Sequence, residues 1–241
     1  MNIAVILAGG IGSRVGADIP KQFIEVLGKP VLAYTIEAFQ NHAEIDAIEV
    51  VCVDTHIDYL KNMIKEYKLD KVKWVVEGGG TFQESVMKGI YNLENICSDK
   101  DTVVVHFGAS PFVKKNIITD SIRVSNKKGN AISTTPFYVL AGIKEDNEKS
   151  NSWIDRDSIA CMNSPHSFNY KFIKEMYDEA IKTGAIDNVE PHTTNLMYEM
   201  EKTIYFSKGS QTNIKITKEE DLDLFEGYLL MKQKYQREKE N

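Results

Sequence analysis

Apolar residues in this chain recur in short unbroken runs, separated by stretches in which they return at helical spacing. Residues 2–7 read Asn-Ile-Ala-Val-Ile-Leu, almost wholly apolar, as a parallel strand covered on both faces should be. Similar runs predict strands over 48–53, 72–76, 102–106 and 131–135. Between them Val31, Leu32, Ile36 and Phe39 predict a helix over 31–40, with Pro30 near its first turn. Asp54 and Thr55 offer capping oxygens to a helix over 56–67. Val86 and Ile90 mark the inner face of a helix that also carries Glu84, Ser85, Lys88 and Gly89, and Pro111-Phe112-Val113 opens another. Such alternation predicts an α/β fold with a mainly parallel, doubly wound sheet, and ligands at the carboxyl ends of its strands.

The rhythm breaks over 136–156, where apolar segments flank Glu145-Asp146-Asn147-Glu148. This pattern predicts a protruding β-hairpin arm on a single domain spanning 1–241. Helices over 169–182 and 194–200 follow, then strands over 203–206 and 213–217. A closing helix is expected to take Thr217 as N-cap, with Glu219, Glu220 and Asp221 at its positive end. Its charged tail, 232–241, is expected to fray.

Gly9, Gly10 and Gly12 come directly after the first strand, with Arg14 and Lys21 close behind. Glycines there let backbone N–H groups approach phosphate oxygens, and two cations add fixed charge. The spacing is not that of a P-loop, and Val15 stands where a dinucleotide fingerprint needs its third glycine. The alternative is a glycine-rich turn without a ligand; Arg14 and Lys21 favour a polyphosphate cradle. A second glycine run, Gly78-Gly79-Gly80, follows the third strand.

Three segments in order carry a resemblance: residues 7–14 (Leu-Ala-Gly-Gly-Ile-Gly-Ser-Arg), 20–23 (Pro-Lys-Gln-Phe) and 28–32 (Gly-Lys-Pro-Val-Leu). Together they resemble the opening of the methylerythritol-phosphate and ribitol-phosphate cytidylyltransferases, and similarity continues to about Leu230. The resemblance implies a Rossmann-like sheet of nucleotidyltransferase type and transfer of CMP from CTP to a small phosphorylated acceptor, releasing pyrophosphate. Mg²⁺ is implied with CTP; the sequence does not identify its ligands. It implies catalytic roles for Arg14, Lys21 and Lys215, and CTP contacts from Leu7, Ala8, Gly9, Gly10, Gly12, Gly79, Gly80 and Ser85. On the acceptor side it points to Arg156, Ser164, His166 and Ser110. In the resembled families the arm reaches a second subunit, so a homodimer is implied. The ribitol-phosphate branch is the closer, on residues 7–14 and the 213–217 segment Asn-Ile-Lys-Ile-Thr.

Departures from the family pattern concentrate on the acceptor side. The segment His-Asp-Ala-Ala-Arg-Pro reads His106-Phe107-Gly108-Ala109-Ser110-Pro111 here. Phe82 replaces an arginine, Ala141-Gly142 an Asp-Thr pair, Thr193-Thr194 a Thr-Asp pair, and Ser164-Pro165-His166 a Thr-Pro-Gln. Ser110 cannot supply the bidentate phosphate contact of an arginine, which predicts an acceptor other than methylerythritol phosphate. His106 and His166 are open to two readings, new polar contacts or satisfied structural histidines. A catalytically silent nucleotide-binding homologue, a non-polyol acceptor and a different base are the competing functions.

Composition changes this picture little. The 241 residues are 42% hydrophobic and 27% charged, ordinary for one sizeable globular domain. A net charge of −6 argues against a general nucleic-acid binder. No membrane span or signal-type segment is expected. Cys52, Cys97 and Cys161 lack a CxxC spacing, so reduced thiols and a cytoplasmic location are expected, and no zinc site.

Overall fold

A computed structural model describes residues 1–10 and 19–240. Gly12 and Arg14, two members of the expected cradle, lie outside the described residues. The elements are β1 (Asn2–Ala8), the small hairpin β2 (Glu25–Val26) and β3 (Lys29–Pro30), α1 (Val31–Gln40), β4 (Ala47–Cys52) and α2 (Ile57–Glu66). Next come β5 (Val72–Glu77), α3 (Phe82–Asn92), β6 (Thr102–Phe107), α4 (Lys115–Lys128) and β7 (Asn130–Pro136). The arm follows as β8 (Gly142–Ile143) and β9 (Ser152–Trp153), and the chain ends through β10 (Ala160–Asn169), α5 (Tyr170–Thr183), α6 (Thr193–Glu199), β11 (Phe206–Lys208) and α7 (Glu219–Glu240).

Seven strands make the central sheet in the order β11-β7-β10-β6-β1-β4-β5. Every neighbouring pair is parallel except the two that involve β10. Strand β1 is a sorting device, because its side chains alternate between faces. Ala4 and Ile6 join a core with α1, α2 and α4, through Leu32, Phe39, Leu60 and Ile118. Ile3, Val5 and Leu7 join a second core with α3, α5 and α6, through Val86, Ile90, Tyr177 and Leu196. The sheet is thus covered on both faces, as its apolar runs require.

The chain builds β4 and β5 on one side of β1, then crosses to place β6 on the other. This reversal at β1 creates a crevice at the carboxyl ends of β1 and β6. The third, smaller core lies below one lip of that crevice. There Val26, Val31, Ala109, Phe112, Ile216 and Phe225 pack together, bringing α7 against the start of α1.

Four local expectations change. Residues 111–113 form no helix; α4 begins at Lys115, while Phe112 packs edge-on against Phe225. The edge strand is Phe206–Lys208 rather than 203–206. Segment 213–217 is not a strand but an extended tether, with Ile216 N donating to Ala109 O at 2.8 Å and Asn213 Nδ2 to Ser164 O at 2.6 Å. Helix α7 starts at Glu219 and runs through the charged tail to Glu240. Asp221, not Thr217, caps it: its carboxylate accepts from Thr217 N and Lys218 N, the reach-back half of a capping box.

Strand β10 had no counterpart in the hydrophobic pattern. Its sequence Ala-Cys-Met-Asn-Ser-Pro-His-Ser-Phe-Asn is polar and holds a proline, which ordinarily disqualifies an inner strand. The ladder to β7 shifts register between Asn163 and His166, so Pro165 sits at a bulge where no N–H is required. Strands β7 and β10 form one long hairpin, Pro136 facing Ala160, and the arm extends from its open end.

Candidate active site

The crevice holds a cavity of about 560 Å³. Its wall includes Leu7, Gly9 and Gly10 after β1, Asp54 after β4, Gly79 and Gly80 after β5, and Phe107 at the end of β6. Lys21 and Lys215 also line it. The sheet hydrogen bonding continues past the strand ends, from Val53 N to Ala8 O (3.2 Å), Gly78 N to Cys52 O (2.8 Å) and Gly108 N to Leu7 O (2.8 Å). The loops that build the cavity are therefore extensions of the sheet.

Two glycine segments meet at Ser85. A Cβ on Gly9 would come within 3.1 Å of Ser85 Oγ, and one on Gly78 within 3.2 Å, so a side chain at either position would press on Ser85 where the loops close. Ser85 Oγ accepts from Gly79 N at 3.0 Å and donates to Thr81 O at 3.0 Å. Thr81 caps α3 by accepting from Glu84 N at 3.1 Å, while Glu84 Oε2 accepts from Gly80 N at 2.8 Å. The N–H groups of Gly79 and Gly80 are thus engaged within the loop, and Ser85 acts as its internal brace. Lys88 Nζ adds a bond to Gly78 O at 2.8 Å.

Lys21 opens a single 3-10 turn, Lys21–Phe23, entered through Pro20. Its neighbours fix it from two sides. Buried Gln22 donates from Nε2 to Ala8 O (2.7 Å) and Gly10 O (2.9 Å), stapling the turn to the first glycine loop. Phe23 stacks on His56 with ring centroids 4.7 Å apart and meets Tyr59 edge-on at 5.4 Å. The sequence had marked this tetrapeptide for its lysine; the contribution of Gln22 needed the folded loop to show it.

Lys215 lies between buried Asn213 and buried Ile216, which anchor its segment to β10 and to the turn after β6. Its ammonium stands 4.0 Å from the centroid of the Phe107 ring. Phe82 packs against that ring at 5.4 Å and His192 against Phe82 at 4.8 Å. Phe107 and Phe82 both line the cavity, which makes one wall aromatic.

The four acceptor-side positions are placed differently. Ser110 is fully buried, as is Ser164 apart from 1% of its surface, and neither hydroxyl has a partner among the described residues. His166 lies beneath the aromatic wall, its ring 6.0 Å from Phe107 and edge-on. Burial pushes the His166 pKa down to about 3, and that of His106 to about 4, so both rings are neutral. His106 faces Ser110 O at 3.0 Å. Arg156 sits on the arm, exposed, donating to Tyr138 O at 3.1 Å. Within one chain, the structure does not bring these four to the cavity lining.

A model of the family described as IspD, 2-C-methyl-D-erythritol 4-phosphate cytidylyltransferase, matches residues 2–231. This chain belongs to the IspD family. Its members are cytidylyltransferases, and the protein is a nucleotidyltransferase of that kind. A ribitol-5-phosphate cytidylyltransferase of Lacticaseibacillus paracasei is 37% identical over 235 residues, covering 97% of this chain and 100% of that protein. A 2-C-methyl-D-erythritol 4-phosphate cytidylyltransferase of Clostridium novyi is 35% identical over 230 residues, covering 95% and 96%. The crystal structure of 4-diphosphocytidyl-2C-methyl-D-erythritol synthase from Anaerococcus prevotii superposes with a TM-score of 0.78 at 24% identity, over 95% of this chain and 98% of that one. At that identity the superposition speaks for the IspD fold alone, with a mostly parallel sheet as the alternation of elements required.

Proposed function

We propose that this protein transfers CMP from CTP to ribitol 5-phosphate, or to a closely similar open-chain polyol phosphate, releasing pyrophosphate. The observation that carries the proposal is the cavity at the sheet's reversal point, with Lys21 and Lys215 in its wall beside the first glycine loop. The relatives named ribitol-5-phosphate cytidylyltransferase, at 37% identity over nearly the whole chain, favour the polyol acceptor. The replacement of charged family residues by Phe82, Phe107 and Ser110 argues for an acceptor other than methylerythritol phosphate.

In this reaction an acceptor phosphate oxygen attacks the α-phosphorus of CTP in line, and the bond to the bridging oxygen of the β-phosphate breaks. The nucleophile is already an anion, so no side chain has to remove a proton. Neutral, buried His106 and His166 suit a site with no proton to move. The work left to the protein is alignment and charge neutralisation. We assign Lys21, with Arg14, to the β- and γ-phosphates, and Lys215 to the phosphate being transferred. The backbone of Leu7, Ala8, Gly9, Gly10 and Gly12 would cradle the triphosphate. The Gly79–Gly80 turn, braced by Ser85, would hold the cytosine edge. Ser110, Ser164 and His166 would then support the acceptor side from beneath the aromatic wall.

Among the described residues no group of three or more His, Cys, Asp or Glu side chains is placed to hold a metal. Mg²⁺ typically keeps waters and binds through one or two carboxylates plus substrate phosphates, which suits a cavity with Asp54 and Glu77 in its wall. The ion would enter with CTP and neutralise charge on the phosphates. We further propose a homodimer in which residues 136–156 form the dimerisation arm of a single catalytic domain, and Arg156 reaches the neighbouring acceptor site. A cytoplasmic location is proposed from the three free cysteines and the need for CTP. No helix among the described residues is long and apolar enough to cross a membrane.

Pyrophosphate release with CTP, Mg²⁺ and a panel of polyol phosphates tests the proposal. Ribitol 5-phosphate should turn over faster than methylerythritol phosphate, and CTP alone of the four nucleoside triphosphates should raise the melting temperature markedly. Lys21→Ala should lower turnover by about 10²–10³-fold, as loss of a preorganised charge does. Full turnover in that variant would remove Lys21 from the site, and absence of both turnover and CTP binding would mark a silent homologue.

A further inference from the structure

We propose that Phe107 is a positioning residue: the face of its ring fixes the Lys215 ammonium at the cavity, and Phe82 and His166 fix the ring. This rests on the assignment of Lys215 to the transferred phosphate. Lys215 Nζ stands 4.0 Å from the Phe107 centroid, inside the range of a strong cation–π contact. Phe107 is the last residue of β6, so the sheet sets its backbone. Phe82, the first residue of α3, meets the ring at 5.4 Å and 57°, and His166 of β10 meets it at 6.0 Å and 73°. Three elements therefore decide the plane of one ring.

The chemistry of the choice follows from charge. A carboxylate at this position would hold the lysine equally well but would cancel the positive charge that incoming phosphates need. A ring attracts the ammonium through its quadrupole and carries no net charge of its own, so its contact with Lys215 helps orient the ammonium and adds no countercharge. A free lysine side chain samples many rotamers, and holding it in one geometry before substrate arrives is the preorganisation that favours a charged transition state. Burial keeps His166 neutral at the edge of the ring, so it adds no competing cation. An aromatic 82–107 pair is then a coherent replacement for a charged one, and it leaves the wall facing the acceptor without hydrogen-bonding groups.

Progressive fluorination of Phe107 tests this directly. Incorporation of 4-fluoro-, 3,5-difluoro- and 3,4,5-trifluorophenylalanine keeps ring shape while draining the negative face. The expected result is a stepwise fall in kcat, between about twofold and thirtyfold across the series, with the KM for CTP and the melting temperature unchanged. A ring that only fills space would give a flat series at the same melting temperature, and that outcome overturns the proposal. Lys215→Ala, assayed alongside, separates the two assumptions. If it cripples turnover while the fluorinated series is flat, Phe107 alone loses its role. If Lys215→Ala turns over normally, the assignment of Lys215 fails and the role of Phe107 falls with it.

Discussion

Glu49 lies in β4, the strand beside β1, completely buried, with Asn92 Nδ2 donating to one carboxylate oxygen at 2.6 Å and the other oxygen unpartnered among the described residues. Burial pushes its pKa from 4.5 to about 8, partly opposed by the Asn92 hydrogen bond. A carboxyl whose folded pKa is raised stabilises fully below its unfolded value and loses that contribution as pH rises through the folded one. Glu49 therefore weakens the fold progressively between pH 4.5 and about 8. His106 and His166, whose pKa values burial lowers from 6.5 to about 4 and about 3, act in the opposite sense. Their contribution is complete above pH 6.5 and is lost as pH falls. Between pH 4.5 and 6.5 two histidines outweigh one acid, so these three groups together place maximal stability near pH 6.5. The expected outcome for Glu49→Gln is a melting temperature about 5–10 °C above wild type at pH 8.5 and little changed at pH 5. Thermal melts across that range check it; equal wild-type and variant curves at alkaline pH would refute the buried acid as the cause. Nothing in a single sequence marks this residue, since Ile48-Glu49-Val50 reads equally well as a strand with one face in solvent. The same limit hid the Phe107–Lys215 contact. Phe107 was legible as a lost acid, but its gain needed Phe82 and Lys215, remote in sequence, at the same wall.

At the scale of the element, the loop entering α3 carries the tightest constraint. A Cβ on Gly79 would lie 2.3 Å from Glu84 Cβ, and the turn cannot open without breaking the Glu84–Gly80 and Ser85–Gly79 bonds. Gly79→Ala should therefore leave the global fold in place, because this loop lies outside both large cores, while abolishing the CTP-dependent thermal shift. Circular dichroism with thermal-shift titration checks it; undiminished CTP stabilisation would show that the loop takes no part in binding. The glycines and the strand before them were readable, because each is a local signal. The caps were not, since Thr81 caps α3 unannounced while Thr55 and Thr217, the threonines expected to cap α2 and α7, make no side-chain capping bond among the described residues. Long apolar runs likewise gave the strands of the parallel core to within a residue or so. The polar and proline-bearing strand β10 was not readable, since its place in the sheet is set by pairing with β6 and β7 rather than by its own pattern. Segment 213–217 errs in the other direction. Alternating Ile214 and Ile216 mimic a strand, yet Ile216 is buried by the small core around Phe225 and its N–H donates to Ala109 O rather than into a strand ladder.

For the whole molecule, the arm carries the most exposed large apolar side chains among the described residues. Tyr138, Val139, Leu140, Ile143 and Trp153 are all more than half exposed, Leu140 at 83% and Trp153 at 76%. Among the described residues it is shaped by two two-residue strands, loop hydrogen bonds and the exposed ion pairs of Lys149 with Glu145 and Asp146. Large apolar side chains exposed together on one arm are expected to be covered in solution, and the arm extends from the open end of the β7–β10 hairpin. Arg156, carried on the same arm, is exposed rather than in the cavity of its own chain. The proposed homodimer accounts for both facts with one contact, since the surface that buries the aromatic residues would bring Arg156 to the neighbouring acceptor side. Replacing Leu140 and Trp153 together by Asp should yield a folded monomer in sedimentation velocity that still melts cooperatively. Its KM for the acceptor should rise by about tenfold or more, as loss of a charge-assisted arginine contact implies, while the KM for CTP stays close to wild type. Arg156→Ala in the intact dimer should reproduce the acceptor effect without the change in mass. A monomeric double variant with unaltered acceptor kinetics would separate assembly from catalysis and leave Arg156 without a role across the interface.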